Sequence, residues 1–351
     1  MDKFETEIYL RYKQIIESQS ASTPLRTLVI PGSDRESPLE AALPRSVSLP
    51  EPRRVHMADL LDRYDAFCFD GYGTLYNRGS FVYPGAMDWF QMLRRAGKHL
   101  RLVTNAASDV DDVLARDADK RGFDFSTEET ISSGSLLREF VERLRRGERA
   151  DVNAAAGIAG GTAAKPELRE VYYIGRETGK HVLEACGITA VAMDAVPVEP
   201  IVAISSAKDT PETFARAVKI LQRPGAILLV LNSDAWAPKI PDENGVTVRE
   251  PVSGALSERL RRASMCEANG GVGCETYYLG KPFPRIWERV KASLPADSRV
   301  LMIGDTLGTD VFGAKVAGFD SALVIGRNVP AAELEADEVA LGIRPDYYLE
   351  P

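Results

Sequence analysis

The chain has 351 residues, of which 51 are acidic and 43 basic, so its formal net charge is −8 at pH 7. This length favours a core domain with a second domain inserted or appended. The negative charge disfavours nucleic acid or an anionic membrane as the main partner, so a small anionic substrate would need a local cationic site. The four cysteines form no CxxC pair, which disfavours a zinc site or a disulfide framework and favours reduced thiols.

The first 60 residues are predicted to form a partly irregular N-terminal extension. The pattern from Lys3 to Glu17 predicts a charged helix, and a Ser/Pro-rich stretch with little periodicity follows from Ser18 to Pro52. The amino terminus lacks the apolar stretch of a signal peptide, and no segment approaches the roughly 18 apolar residues that span a membrane. We therefore expect a cytoplasmic protein without a membrane segment, whose extension packs on the main domain or mediates assembly.

From about residue 61, short apolar runs alternate with turn residues and helical patterns. Runs of this kind, buried on both faces and separated by helices, predict an α/β fold with a doubly wound, Rossmann-like parallel sheet. In such sheets ligands bind at the carboxyl ends of the strands. The predicted strands are Ala66–Phe69, Leu100–Val103, Val300–Ile303 and Ala322–Ile325.

A second α/β series lies between these runs. Its predicted strands are Val171–Ile174, Ile201–Ile204 and Ala226–Leu231, and its predicted helices are Gly179–Cys186 and Pro211–Leu221. The chain would enter this series through the Ala/Gly-rich connector Asn153–Pro166 and leave it near Glu267–Glu275. We therefore predict an extension over 1–60, a core domain over 61–166 and 275–351, and an inserted α/β domain over 167–274.

Four polar segments of the core fall at strand ends or in turns. Each is weak evidence alone, because an aspartate after a strand is also a common turn former or helix cap. They are DGYGTL at Asp70–Leu75, VTN at Val103–Asn105, GKPFP at Gly280–Pro284 and GDTLGTD at Gly304–Asp310.

The chemistry of these segments becomes coherent when they are taken together. Asp70 and Asp305 would repel each other at the sheet edge unless a cation lay between them, and oxygen ligands suit Mg²⁺. Lys281 would add a positive charge against the transferring group, while Thr104 and Asn105 would donate hydrogen bonds to its oxygens. Attack of an aspartate on phosphorus would then form an aspartyl phosphate.

In this order the segments resemble the four motifs of the haloacid dehalogenase superfamily: a strand-end DxDx(T/V), a Ser/Thr, a Lys and an acidic GDxxxxD. The resemblance covers roughly Tyr64 to Gly326. The segments ISSGS at Ile131–Ser135, NSD at Asn232–Asp234 and GKPFPRIWE further resemble class IIA, in which a large α/β cap (C2) lies between motifs two and three. That branch includes the nitrophenylphosphatase, ribonucleotide phosphatase and pyridoxal phosphate phosphatase types.

The resemblance implies roles for particular residues, a Mg²⁺ cofactor and a small phosphorylated metabolite as substrate. Asp70 would be the nucleophile, and Lys281 would assist it. The implied metal-binding residues are Asp70, the backbone carbonyl of Tyr72, Asp305 and Asp310, the last acting through water or Lys281. The implied phosphate- and substrate-binding residues are Thr104, Asn105, Asn232 and Asp234. Caps of this class often take part in dimer contacts, so a homodimer is a further expectation.

Tyr72 departs from the motif, since phosphatases of this superfamily place an aspartate there. That aspartate protonates the leaving oxygen and later activates water, whereas an ordinary phenol, with a pKa of about 10, is a poor base at neutral pH. Losing a general acid/base typically costs about 10² to 10⁴ in rate. The substitution at Tyr72 therefore leaves the detailed activity open.

Four interpretations follow from Tyr72. The protein is a phosphatase that uses a good leaving group, another acid or Tyr72 itself as donor, or it is a phosphotransferase that passes the phosphoryl group to an acceptor. The third interpretation is a haloacid dehalogenase, because the DxYGT form also occurs in the haloacid dehalogenases proper. Those enzymes, however, have a helical cap at a different place in the chain and need no Mg²⁺. The fourth interpretation is a binding protein without catalysis.

Overall fold

The computed structural model describes residues 1–18, 51–146, 167–243, 247–266, 271, 273–328 and 330–350. Most of the predicted irregular stretch (residues 19–50), the whole predicted connector Asn153–Pro166 and part of the predicted exit near 267–275 lie outside the described residues. No helix within the described ranges is long and apolar enough to cross a membrane.

The described chain alternates strands with helices. The strands are β1 (Arg53–Val55), β2 (Ala66–Phe69), β3 (His99–Thr104), β4 (Thr130–Ser132), β5 (Glu170–Ile174), β6 (Thr189–Ala190), β7 (Ile201–Ile204), β8 (Ile227–Val230), β9 (Trp236–Pro238), β10 (Arg249–Pro251), β11 (Glu275–Tyr278), β12 (Val300–Gly304), β13 (Asp320–Val324) and β14 (Tyr347–Leu349). The helices are α1 (Lys3–Ser18), α2 (Ala86–Arg95), α3 (Asp111–Asp119), α4 (Leu137–Arg145), α5 (Lys180–Glu184), α6 (Pro211–Leu221), α7 (Ser253–Ser264), α8 (Pro284–Ala292), α9 (Phe312–Ala317) and α10 (Leu334–Leu341).

The larger sheet has seven strands in the order β1-β14-β13-β12-β2-β3-β4, and all neighbours run parallel. Its central strands are short apolar runs whose residues are buried on both faces, as expected for a sheet covered by helices. The predicted α/β class with a doubly wound parallel sheet is therefore confirmed.

The register of the central strands positions the polar residues that follow them. Strand β2 lies between β12 and β3, with Phe69 opposite both Ile303 and Leu102. Asp70 consequently leaves the sheet between Asp305 on one side and Thr104 on the other. The carboxyl edge of the larger sheet thus carries three of the four predicted motifs.

The smaller sheet has five parallel strands in the order β11-β8-β7-β5-β6. The antiparallel pair β9-β10 leaves the end of β8 and forms a separate two-stranded ribbon. The second part of the core was predicted to begin at residue 275, but the unpredicted strand β11 at this position pairs with β8, so the chain leaves the smaller sheet after Tyr278. The domain limits themselves stay a prediction.

Helix α1 extends one residue beyond its predicted end and is not a freely solvated charged helix. Its residues Ile8, Tyr9, Tyr12 and Ile15 are buried in an apolar core shared with side chains of the smaller sheet and with Leu334. The extension therefore packs on the rest of the protein, which is one of the two roles expected for it.

Candidate active site

Asp70 emerges from β2 into a tight turn. Its N–H donates to the carbonyl of Ile303 at 2.9 Å, and only 7 % of the residue is exposed. In the turn Gly73 has a φ of +103°, and a Cβ built there would lie 1.9 Å from Asp305 Oδ2. Only glycine allows both this backbone conformation and this close approach. The turn therefore brings its backbone against the acidic loop after β12.

Three of the predicted metal-binding residues form a buried carboxylate cluster. One oxygen each from Asp70, Asp305 and Asp310 lies within 4.8 Å of the others, and all three residues are buried. Within the described residues, Asp305 Oδ2 is buried without a hydrogen-bond partner. Burial raises the pKa of Asp305 well above its ordinary value, and the neighbouring charges of Asp70 and Asp310 raise it further. Such an oxygen-only, charge-repelling cluster fits a hard divalent cation such as Mg²⁺.

Lys281 contacts two of the three carboxylates of the cluster. Its Nζ lies 2.6 Å from Asp70 Oδ1 and 2.7 Å from Asp310 Oδ1, and it donates to the carbonyl of Val103 at 2.8 Å. Burial alone would lower the pKa of Lys281, but the carboxylates of Asp310 and Asp70 outweigh it and the pKa is raised. The ammonium group therefore stays charged at neutral pH, and Asp310 orients it.

Asp310 also fixes the loop that carries Asp305. Its Oδ2 accepts the backbone N–H groups of Asp305 and Thr306, each at 3.1 Å. The spacing of five residues in GDTLGTD thus brings both carboxylates to the cluster, and the second of them also holds the loop in shape. This contact explains why both acids of the motif are buried.

Asn105 joins the two sheets. Its Nδ2 donates to Asp234 Oδ1 at 2.8 Å and to the carbonyl of Lys281 at 3.0 Å, while its Oδ1 accepts the N–H of Lys281 at 2.7 Å. The amide that was predicted to bind phosphate is thus engaged in holding Lys281 and Asp234. Burial raises the pKa of Asp234 to about 6, although Lys281 acts against this.

Asp70 lies in the wall of a cavity of about 180 Å³ between the two sheets. The predicted residues Tyr72, Thr104, Asn232 and Asp234 also line it. Other residues that were not predicted from the sequence also line the cavity; they follow β5 and β7 or lie on the β9-β10 ribbon. They include Arg176, Ser205, Ser206, Lys208 and Trp236. The strand-end rule applied to the core would have found the first four, had it also been applied to the second series.

The Tyr72 side chain points towards helix α3. Its hydroxyl lies 3.4 Å from Asp117 Oδ2, and its ring packs edge-on against Tyr76 with centroids 5.1 Å apart. Burial raises the pKa of Tyr72, and Asp117 adds to this effect. The phenol therefore stays protonated at neutral pH, so it can donate a hydrogen bond but cannot act as a base.

Comparisons with known proteins agree with this geometry. A model of the haloacid dehalogenase-like hydrolases matches residues 67–189, and a second HAD-hydrolase-like model matches residues 278–350. Mouse chronophin is 27% identical over 305 residues, which is 85% of this chain and 94% of chronophin. The 4-nitrophenylphosphatase of Schizosaccharomyces pombe is 25% identical over 299 residues, which is 83% of this chain and 93% of that protein.

Solved structures share the fold. A possible sugar phosphatase from Cytophaga hutchinsonii superposes with a TM-score of 0.66 at 21% identity, covering 85% of this chain and 98% of that one. The 4-nitrophenylphosphatase from Thermotoga maritima gives a TM-score of 0.58 at 23% identity, covering 83% and 95%. Together with the two family models, which span more than half of the chain, the motif order leads to one conclusion. This protein belongs to the haloacid dehalogenase-like hydrolases.

Proposed function

We propose that the protein is a Mg²⁺-dependent phosphatase that acts on a small phosphorylated metabolite through an aspartyl phosphate on Asp70. The observation that carries the proposal is the buried arrangement of Lys281 between Asp70 and Asp310, beside the unpartnered oxygen of Asp305. Relatives named as phosphatases of nitrophenyl phosphate and glycerol 3-phosphate support the same reaction class.

In the proposed reaction the carboxylate of Asp70 attacks phosphorus, the bond between phosphorus and the ester oxygen breaks, and that oxygen takes a proton from solvent water and leaves as an alcohol. Lys281 would hold a phosphate oxygen, and the Thr104 hydroxyl would donate to another. Mg²⁺, held by Asp70, Asp305 and the Tyr72 carbonyl, with Asp310 in support, would screen the repulsion between the anionic nucleophile and its anionic substrate. Water then attacks the phosphorus of the aspartyl phosphate and loses a proton to solvent, and the bond between phosphorus and the Asp70 carboxylate breaks, which releases phosphate and restores Asp70.

The Tyr72 hydroxyl is the proposed hydrogen-bond donor to the leaving oxygen. Because its pKa is raised, it cannot take a proton from the attacking water, so the second step should be slower than the first. A long-lived phosphoenzyme favours phosphotransfer to an acceptor as the second candidate function. The acidic pair Asp305 and Asp310 argues against a dehalogenase, which has no use for a bound cation.

Rapid mixing with an aryl phosphate tests the proposal, because an aryl leaving group hardly needs an acid. We expect a burst of about one equivalent of phenolate per active site and then a slow phase that an added alcohol acceptor accelerates. A chelator should remove both phases, and excess Mg²⁺ should restore them.

Two variants complete this test. Asp70→Asn should abolish release, while Asp119→Asn, which removes an exposed acid at the end of α3, should leave the time course unchanged. Wild-type protein with Mg²⁺ that releases no product, or an Asp70→Asn variant as fast as wild type, would contradict the proposal.

A further inference from the structure

Two basic side chains lie on the wall of the active-site cavity that the smaller sheet contributes. Arg176 follows β5 and Lys208 lies in the segment after β7, and these strands are parallel neighbours. We propose that Arg176 and Lys208 form an anion subsite, which selects phosphomonoesters whose alcohol part carries a second anionic group. This inference rests on the proposed function and names its substrate class.

The charges around the cavity support the subsite. Arg78 and Lys239 both pair with Glu250, and Lys281 pairs with Asp70 and Asp310. By contrast, within the described ranges neither Arg176 nor Lys208 has a carboxylate at ion-pair distance. Two uncompensated cations in the cavity of a protein with a net charge of −8 favour an anionic ligand there.

The two basic segments are held together beneath the cavity. The Tyr173 hydroxyl donates to the carbonyl of Arg176 at 3.0 Å and lies 2.5 Å from Ser205 Oγ, in the segment that leads to Lys208. The next hydroxyl, Ser206 Oγ, is buried and has no hydrogen-bond partner among the described residues. A ligand anion would therefore meet two exposed cations on segments that are held together, and an available hydroxyl donor.

The subsite lies on the leaving-group side of the cavity. Asp70, Tyr72 and Arg176 all line the cavity. Tyr72 is the proposed donor to the leaving oxygen, so in the proposed binding mode the reacting phosphate lies at Asp70 and the alcohol part extends past Tyr72 towards Arg176. A carboxylate or second phosphate on that alcohol could reach it.

Glycerol 3-phosphate and 3-phosphoglycerate provide the test, because they differ in one terminal group, a neutral hydroxymethyl against a carboxylate. We expect wild type to favour the acid by about tenfold or more in kcat/KM, mainly through KM. Arg176→Gln and Lys208→Gln should each reduce this preference several-fold. Lys219→Gln, which removes an exposed cation outside the cavity, should not change it.

An equal kcat/KM for both esters in wild type, or a preference that survives in both cavity variants, would overturn the subsite. If wild type hydrolyses no ester at all, the proposed function fails instead, and calorimetric binding of the same two compounds then decides about the subsite. Tighter binding of the acid that Arg176→Gln removes would support it, and equal binding would refute it.

Contacts of helix α1 support a second, independent inference, which concerns how the active site is held in position. We infer that Tyr12 is a positioning residue for the NSD loop. Its hydroxyl donates to the carbonyl of Ser233 at 2.9 Å, and Ser233 Oγ in turn donates to the carbonyl of Lys281 and accepts from Asn105 Nδ2. One buried hydrogen bond thus connects the N-terminal extension to the hydrogen bonds that Ser233 makes with Lys281 and Asn105.

The same helix also contacts the acidic motif and the ribbon. A Cβ at Gly308 would lie 2.2 Å from the ring of Tyr9, so this ring packs directly on the segment between Asp305 and Asp310. The buried carboxylate of Glu5 pairs with Arg249 of β10 at 2.8 Å. Both family models begin after this helix, so α1 is an addition of this chain to the matched regions.

Tyr12→Phe tests this role, because it removes the hydroxyl and keeps the ring that packs on Tyr278 and Phe283. We expect faster amide hydrogen exchange over residues 232–235 and a lower kcat/KM for aryl phosphate, about tenfold. The matched control is Tyr172→Phe, which removes the bond from another buried tyrosine to the carbonyl of Met193, outside the cavity.

Exchange and kinetics in Tyr12→Phe that match the Tyr172→Phe control would show that Tyr12 serves stability alone and would overturn the inference. The exchange measurement needs no turnover, so it remains decisive even if the proposed phosphatase activity fails.

Discussion

At the scale of single residues, Tyr72 has the strongest bearing on the reaction. The structure places its hydroxyl near Asp117 rather than near the carboxylate cluster of Asp70, Asp305 and Asp310. Its raised pKa suits donation of a hydrogen bond and not removal of a proton. The two half-reactions should therefore respond differently to a change at this position.

We expect Tyr72→Phe to lower kcat for an alkyl phosphate by about 10² or more, because a poor leaving group needs a donor. The same variant should change the burst with an aryl phosphate little. Tyr72→Asp should accelerate the slow phase, since a carboxylate can activate water. Steady-state and rapid-mixing kinetics with both esters check these expectations, and identical effects of Tyr72→Phe on the two esters would show that the hydroxyl is not the donor.

At the scale of elements, helix α7 contains a buried ion network that faces α1. Glu258, which is 3 % exposed, accepts from Arg261 at 2.8 and 2.9 Å and from Arg262 at 2.6 Å, and Arg11 of α1 lies 3.9 Å away. Burial alone would raise the pKa of Glu258, but the arginines outweigh it and hold the pKa below its ordinary value. The carboxylate therefore compensates part of the positive charge of the arginines around it.

Glu258→Gln should lower the free energy of unfolding by about 3–5 kcal/mol at pH 7, because it removes the negative charge of a buried carboxylate that pairs with Arg261 and Arg262. The folded pKa lies below the unfolded one, so this stabilisation is present above the unfolded pKa and is lost as the pH falls through the folded value. Urea unfolding at pH 7 and below pH 4 checks both points.

The exposed Glu177→Gln, which breaks a surface pair with Lys180, is the control and should cost at most about 1 kcal/mol. A difference between wild type and Glu258→Gln that is equally large in acid would contradict the ionic explanation.

At the scale of the whole molecule, the active site belongs to neither sheet alone. The larger sheet supplies Asp70, the proposed nucleophile, and the acidic loop, whereas the smaller sheet and its ribbon supply the opposite wall of the cavity. Asn105 and Lys281 connect these two sides through Asp234 and Ser233. A ligand in the cavity should therefore stabilise both parts together.

We expect Mg²⁺ with orthovanadate, a phosphate analogue, to raise the melting temperature in a single transition. At 100 times its Kd a ligand adds about 2.7 kcal/mol, which is about 4 °C for a chain with an unfolding entropy of roughly 2.1 cal/mol/K per residue. Calorimetry measures the shift, and Asp305→Asn should lose its Mg²⁺-dependent part. A ligand that shifts only one of two separate transitions would contradict the shared site.

Much of the fold could be predicted because burial and periodicity are local properties. Ala66–Phe69 and Pro211–Leu221 have the predicted limits, the latter because Thr210 caps the helix and Pro211 opens it. The short edge strand β1 was missed because its residues, RRV, are largely exposed and show no apolar run. The ribbon β9-β10 was missed because each of its strands contains a proline, Pro238 or Pro251, and a proline in a short run argues against a strand.

The sequence by itself determined the family and the order of the motifs. It also determined that Asp70, Asp305 and Asp310 lie close together, because the carboxyl ends of parallel strands meet at one edge of a sheet. Only the tertiary structure decided which residues oppose that edge. Tyr12 lies 221 residues from Ser233, and Tyr72 lies 45 residues from Asp117. Contacts of such separation depend on how helices and a second sheet pack in space, and no local periodicity encodes that packing.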